Sequence, residues 1–412
     1  MKSKRNNDNI TEILLKNRLE KDNQNITTTR KTINKTKPSS RKKNNLNLDE
    51  KSKKKIIAGV LITLSVLIII LSIVLAKSNP NDKKKVKTKE TNKSSQSVEQ
   101  TKKTEPTTEE KYEIKSSIIV QGKRAMEIYS VSKVSLERYA DYINDFSSKV
   151  PGVNVYSMLA PTSVAFYGPS KYRTGAHSQE KGIQIAYDKM NSNIKKISVY
   201  QNIDKHKDEY LYFRTDHHWT ARGAYYAYEV FAPVAGVQAA PLSKHQTGKL
   251  DGFVGSYYRY TKDETLQKNP DYVEYFKPVT NTTATVYSGP EMSGGYNIDV
   301  INSSVTASNK YLAFIGGDHA VLKIKTDAPG GRKIVLIKES YGNAFAPFLC
   351  DNFSEVYVLD PRRFDGKLSD FVKKNGITDV LFLNYTFATS NPTYLNTIYY
   401  VTIPIYNTIS NR

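Results

Sequence analysis

Residues 333–349 read KIVLIKESYGNAFAPFL, and the reading of the whole chain turns on this stretch. Its first six residues, KIVLIK, are mostly apolar and β-branched, the composition of a short buried strand. Ser340-Tyr341-Gly342-Asn343 follow as a turn, and Ala344–Leu349 reads as helix. A strand that passes through a tight turn into a helix is the repeating unit of a parallel α/β sheet. The same rhythm continues on both sides. YLAFIGG (311–317) lies before it, and EVYVLD (355–360), a helical segment at Lys367–Lys374 and DVLFLN (379–384) lie after it. Further upstream, Leu136, Tyr139, Ala140, Ile143 and Phe146 recur at helical spacing and lead to the strand VNVYSML (153–159). Ile183, Ala186, Tyr187, Met190 and Ile194 mark a second amphipathic helix before ISVY (197–200). EYLYFR (209–214) reads as a strand running into TDHHWT, with a helix over 221–231. The expected architecture is α/β, a mainly parallel sheet with helices on both faces. The Tyr/Gly/Thr-rich stretch 251–308 breaks the alternation and reads as an insertion or peripheral β segment.

This folded unit occupies residues 112–412 of a 412-residue chain whose composition is otherwise uneven. Hydrophobic residues make up 39% of the chain, low enough to require substantial solvated segments. The formal charge is +21, of which residues 1–55 carry +11 and residues 77–111 carry +4. The +6 left for 112–412 is ordinary for its size, so the basic excess does not point to nucleic acid. One cysteine, Cys350, excludes an intramolecular disulfide framework and a Cys-rich zinc site.

Residues 56–76, IIAGVLITLSVLIIILSIVLA, are 21 consecutive uncharged residues. As a helix they would span roughly 30 Å, the thickness of the bilayer hydrocarbon. The run is longer than a signal-peptide core and no A-x-A site follows it, so it reads as a retained transmembrane helix. Lys53, Lys54 and Lys55 abut its N-terminal end, which puts residues 1–55 in the cytoplasm as a basic, disordered tail. Residues 77–111 read as a flexible extracytoplasmic linker, giving a single-pass type II protein with its folded domain outside.

Functional groups in open parallel sheets gather beyond the C-terminal ends of the strands. Asp216 and His218 follow EYLYFR, Ser340 follows KIVLIK and Asn384 ends DVLFLN. These are the residue types of nucleophilic acyl transfer. A serine hydroxyl needs a neutral imidazole to take its proton, a carboxylate fixes the tautomer of that imidazole, and donors must receive the oxyanion. In an extended segment Asp216 and His218 share a face and His217 points elsewhere. Other readings remain open. Asp216, His217, His218 and His319 are ligand types for zinc, although no metal is expected without a cysteine cluster. Ser340 alone would suit a helix N-cap, and Asn384 alone a turn. The 29 tyrosines fit sugar binding, but most fit sheet filling better. Trp219 is expected to be structural, packed behind the loop that carries His218.

The string Arg214-Thr215-Asp216-His217-His218-Trp219-Thr220, followed by Gly223-Ala224-Tyr225-Tyr226-Ala227-Tyr228, resembles the signature of the DHHW family of Gram-positive surface proteins. That family is similar to the SGNH-hydrolase-like alginate O-acetyltransferases, whose Asp-x-His-Trp-Thr motif matches Asp216, His218, Trp219 and Thr220. The likeness extends over essentially all of 112–412. It implies an SGNH-hydrolase-like fold and a catalytic set of Asp216, His218 and Ser340, with the Asp-x-His pair preceding the serine. Asn384 then takes the place of the oxyanion asparagine. Asn343 is a further oxyanion or substrate-binding candidate, and Arg362, Gly316 and Gly317 are second-tier ones. Glu339 departs from the Asp that usually precedes the serine, and the Gly-x-Asn-Asp text around Asn384 is absent. The relatives imply an O-acetyltransferase acting on a cell-surface polysaccharide, partnered by a membrane-bound O-acyltransferase and needing no cofactor. A carbohydrate esterase with the same triad and a non-catalytic cell-wall-binding protein are the alternatives.

Overall fold

The computed structural model describes residues 111–403. The tail, the apolar run 56–76, nearly all of the linker and the last nine residues lie outside the described residues. Among the described residues no helix is long and apolar enough to cross a membrane.

The chain opens with a small antiparallel sheet of β1 (Tyr112–Lys115), β2 (Ile118–Gln121) and β3 (Arg124–Glu127). Helix α1 (Lys133–Ser148) then leads to β4 (Asn154–Ala160), and α2 (Gln179–Lys189) leads to β5 (Ile194–Ile197). After α3 (Ala221–Val234) come the hairpin strands β6 (Thr247–Phe253) and β7 (Asp271–Phe276). The remaining strands are β8 (Thr282–Tyr287), β9 (Tyr296–Ile298), β10 (Val321–Thr326), β11 (Lys333–Lys338), β12 (Glu355–Leu359) and β13 (Asp379–Tyr385). Helix α4 (Gly342–Leu349) follows β11, α5 (Leu368–Asn375) follows β12, and α6 (Pro392–Thr402) closes the described chain.

The main sheet has eight strands in the order β5-β4-β13-β11-β12-β10-β8-β9. The first five run parallel, while β10, β8 and β9 pair antiparallel along one edge. Both faces of the sheet are covered, and the alternation of side chains shows it. Ile334 and Leu336 of β11 and Leu381 and Leu383 of β13 join the core that includes α3 and α4. Val335, Ile337, Val380 and Phe382 face the other way, into the core formed with α1, α2, α5 and α6. Strands buried on both faces are near-continuous apolar runs, which is why these segments were legible as runs.

Three expected strands are absent. ISVY ends rather than starts a strand: β5 is Ile194–Ile197, and Tyr200 opens a helix over 200–205. EYLYFR forms no strand beyond a bridge between Tyr212 and Trp219. YLAFIGG is a 3₁₀ turn at Lys310–Ala313 with a single bridge from Phe314 to Ile301, followed by left-handed backbone at Ile315, Gly316 and Gly317. The stretch 251–308 supplies β7, β8 and β9, so part of it joins the main sheet as its antiparallel edge.

Candidate active site

The motif loop is a tight reversal. Phe213 N–H donates to His218 O (3.3 Å) and Thr220 N–H to Leu211 O (2.8 Å), so residues 214–217 form the turn. The carboxylate of Asp271, at the start of β7, organises that turn from inside. It accepts from Arg214 N–H (3.0 Å), Thr215 N–H (2.7 Å), Thr215 Oγ1 (2.7 Å) and Tyr210 Oη (2.6 Å). A buried charge so fully hydrogen-bonded draws the backbone away from any strand partner, and EYLYFR is bent as a result. Thr220 caps the next helix: its Oγ1 accepts from Gly223 N–H (3.2 Å) at the N-terminus of α3.

Asp216, His218 and Ser340, 124 residues apart at the extremes of the set, meet at the mouth of the parallel sheet. The Nδ1 of His218 lies 2.5 Å from Asp216 Oδ1, and its Nε2 lies 2.7 Å from Ser340 Oγ. Asp216 and His218 are 4% and 7% exposed. Burial alone would raise the Asp216 carboxyl, but the imidazoles of His217 and His218 and the Ser256 N–H outweigh it and hold the group well below the usual carboxylate range. An ionised Asp216 only accepts, so Nδ1 carries the proton and Nε2 is left to accept from Ser340 Oγ–H. A second segment holds the carboxylate from the other side. Ser256 N–H donates to Asp216 Oδ2 (2.7 Å), and Gly255 N–H donates to Thr215 Oγ1 (3.0 Å). Only glycine fits at 255, because a Cβ there would fall 2.2 Å from Asp216 Cβ.

Ser340 sits between β11 and α4, and its hydroxyl points to His218 instead of capping the helix. Glu339 braces it. The buried Glu339 carboxyl accepts from Tyr341 N–H (2.9 Å) and Tyr385 N–H (3.0 Å), tying the end of β11 to the end of β13. Burial pushes this carboxyl up to about 7, against the pull of those two N–H groups. Gly342 allows the turn to close over β11, since a Cβ there would meet Lys338 Cβ at 2.5 Å. Trp219 is fully buried, and its Nε1–H donates to Tyr341 O (2.9 Å), joining the motif loop to the serine turn in the structural place expected of it.

The other expected site residues are placed elsewhere. Asn384 is fully buried with its amide held between Tyr139 Oη (2.9 Å) and Tyr394 Oη (2.6 Å), and it makes no hydrogen bond to the three residues above. Its position on β13 puts it on the face of Phe382, toward α1 and α6, which explains why it misses the serine. Asn343 and Arg362 enter an ion-pair cluster. Lys338 Nζ donates to Asp318 Oδ1 (2.7 Å), Asn343 Nδ2 donates to the same oxygen (3.1 Å), and Arg362 Nη2 donates to Asp318 Oδ2 (2.7 Å). Although desolvation opposes it, Lys338 and Arg362 hold the half-buried Asp318 carboxyl far below its ordinary value. Gly316 and Gly317 are backbone reversals beside His319, which bonds Ile315 O (2.8 Å).

His217 is not directed away. Because 214–217 is a turn and not an extended strand, its Nδ1 lies 3.7 Å from Asp216 Oδ1 and its ring 3.8 Å from that of His218. Asp216, His217 and His218 are thus close enough to share a metal ion. To do so they would give up the bonds of His218 to Asp216 and Ser340 and of His217 Nδ1 to Ser256 Oγ (2.7 Å). Sequence reasoning missed Asp271, Gly255 and Ser256, because nothing in their local text announces a partner so far along the chain.

The fold and site together define an α/β protein with a buried carboxylate–imidazole–hydroxyl chain at the carboxyl end of a parallel sheet. The family model for DHHW protein matches residues 85–359, and this chain belongs to the DHHW family. It is similar to a DHHW family protein from Eubacterium siraeum, with 35% identity, a TM-score of 0.62, and coverage of 68% of this chain and 93% of that one. It is also similar to Bacillus cereus PatB1, solved with a sulfonyl adduct, with 18% identity, a TM-score of 0.56, and coverage of 67% and 97%. None of the curated proteins compared matches the chain.

Proposed function

We propose that this chain is an SGNH-hydrolase-like O-acyltransferase that places acetyl groups on hydroxyls of a cell-surface polysaccharide, with Asp216, His218 and Ser340 as its catalytic set. The observation that carries this reading is the unbroken hydrogen-bond chain from Asp216 through His218 to Ser340 Oγ. His218 Nε2 takes the hydroxyl proton as Ser340 Oγ attacks the acyl carbonyl of a donor. The tetrahedral adduct collapses, the donor's leaving group departs with that proton, and an acyl-serine remains. A sugar hydroxyl then attacks the acyl carbon, giving its proton to His218. Collapse of the second adduct yields the acylated sugar and returns the proton to Ser340. Asp216 stays ionised throughout and keeps Nε2 directed at the serine.

The cellular setting belongs to the same proposal. Residues 56–76 anchor the protein as a single-pass type II span, residues 1–55 stay in the cytoplasm, and 77–111 tether the domain outside. Acyl groups then arrive from a membrane-bound O-acyltransferase. The test is turnover of an activated acetyl ester by purified full-length protein, with and without oligosaccharide acceptors. Acetylated oligosaccharide supports the transferase. Acetate release unaffected by acceptors makes the protein an esterase, and no turnover by wild type removes the catalytic reading in favour of a wall-binding protein.

A further inference from the structure

Tyr311 belongs to the 3₁₀ turn Lys310–Ala313, outside the strand–turn–helix unit that carries Ser340. Its ring lies flat on the imidazole of His218, with centroids 3.9 Å apart and 13° between the planes. Its hydroxyl donates to the backbone carbonyl of Ser340 at 3.0 Å. One side chain therefore touches both partners of the proton transfer. We propose that Tyr311 is a positioning residue that holds the His218 ring and the Ser340 backbone in register for that transfer. The role rests on the acyl-transfer reading above.

Each contact has a distinct task. The phenol face stops the imidazole rotating out of line with Ser340 Oγ. When Nε2 receives the serine proton the ring becomes a cation, and an aromatic face a short distance away in a dry site attracts it. The hydroxyl fixes the Ser340 carbonyl, so the turn cannot carry Oγ away from Nε2. Burial keeps the phenol un-ionised and thus a donor, and it neither gives nor takes the transferred proton.

Full-length protein carrying Tyr311→Phe and Tyr311→Leu separates the two contacts. The readouts are kcat and KM for an activated acetyl ester, and the NMR shifts of the His218 ring protons, assigned by their loss in His218→Gln. A stacked aromatic ring moves those protons upfield, so the shift should persist in wild type and Tyr311→Phe and shrink in Tyr311→Leu, where the tilted His217 ring remains beside His218. Tyr311→Phe should lower kcat about 3- to 10-fold at unchanged KM, the range of one neutral hydrogen bond. Tyr311→Leu should lower it roughly a further 10-fold, in the range of a desolvated cation–aromatic contact. Wild-type kcat in either variant, equal losses in both, or a change confined to KM would overturn the proposal. If Tyr311→Leu does not fold, Tyr311→Phe alone decides: a retained upfield shift with wild-type kcat refutes the tether. Wild-type protein inert toward the ester would remove the acyl-transfer reading together with this role, whereas active wild type with insensitive variants removes the role alone.

Discussion

Replacing Gly255 with alanine tests whether the Asp216 clamp matters to chemistry. Gly255 has extended backbone angles, φ −90° and ψ −158°, that alanine adopts freely, so the change introduces no backbone strain. Its effect is steric. The new methyl would lie 2.2 Å from Asp216 Cβ and 2.5 Å from Oδ2, so the two must part by at least about 1 Å to reach contact distance. Either the 255–256 segment lifts, losing the Ser256 N–H bond to Oδ2, or Asp216 moves and takes its hold on His218 Nδ1 with it. Overpacking of this kind costs about 1–3 kcal/mol of stability. A displacement near 1 Å at a catalytic group costs on the order of 100-fold in rate. We therefore expect Gly255→Ala to remain folded at 25 °C, with kcat/KM for an activated acetyl ester down about 100-fold and a thermal midpoint lowered by a few degrees. Activity within about twofold of wild type in the folded variant would refute the claim that this clamp positions Asp216.

Three further outcomes follow from the same geometry. Asp216→Asn cannot fix the Nδ1–H tautomer of His218 and should lower kcat by about four orders of magnitude with circular dichroism unchanged; a loss under tenfold would contradict the assigned role. Glu339, raised to about 7 by burial against an unfolded value near 4.5, binds its proton more tightly in the folded protein. Its contribution to stability is complete below pH 4.5 and fades as pH rises through 7, by roughly 3 kcal/mol in all. Urea unfolding at pH 5 and 8 should show that decline in wild type and a flatter profile in Glu339→Gln; parallel profiles would refute it. Asn384→Ala strands the hydroxyls of Tyr139 and Tyr394 and should cost about 2–4 kcal/mol of stability, while the folded protein acylates within a few-fold of wild type. A 100-fold loss of acylation in folded Asn384→Ala would restore Asn384 as an oxyanion donor.

The legible parts of this fold were those that local composition determines. KIVLIK, EVYVLD and DVLFLN are apolar through their middles, with polar residues only at the ends, because both faces of the sheet are covered, and they form β11, β12 and β13. The meeting of Asp216, His218 and Ser340 was legible from residue types and from the motif text, although only Ser340 follows a strand and EYLYFR forms none. What defeated sequence reasoning was long-range capture. EYLYFR has strand composition, yet Asp271 bonds its backbone 57 residues away and bends it. That bend also brings His217 beside Asp216, against the alternation expected of a strand. Asn384 closes DVLFLN as expected, but the pleat turns it to the face opposite the chemistry, which a one-residue alternation decides. Tyr311 lay inside a segment read as a strand, and no local pattern links it to His218.

Activation of the Ser340 hydroxyl by His218 can be read directly by covalent labelling. Full-length protein should be treated with an aryl sulfonyl fluoride, digested and mapped by mass spectrometry, beside His218→Ala and Ser340→Ala. An activated Ser340 should carry one sulfonyl group in wild type, with little label in His218→Ala and none in Ser340→Ala. Wild-type protein that stays unmodified, or carries the label on another residue, would contradict it.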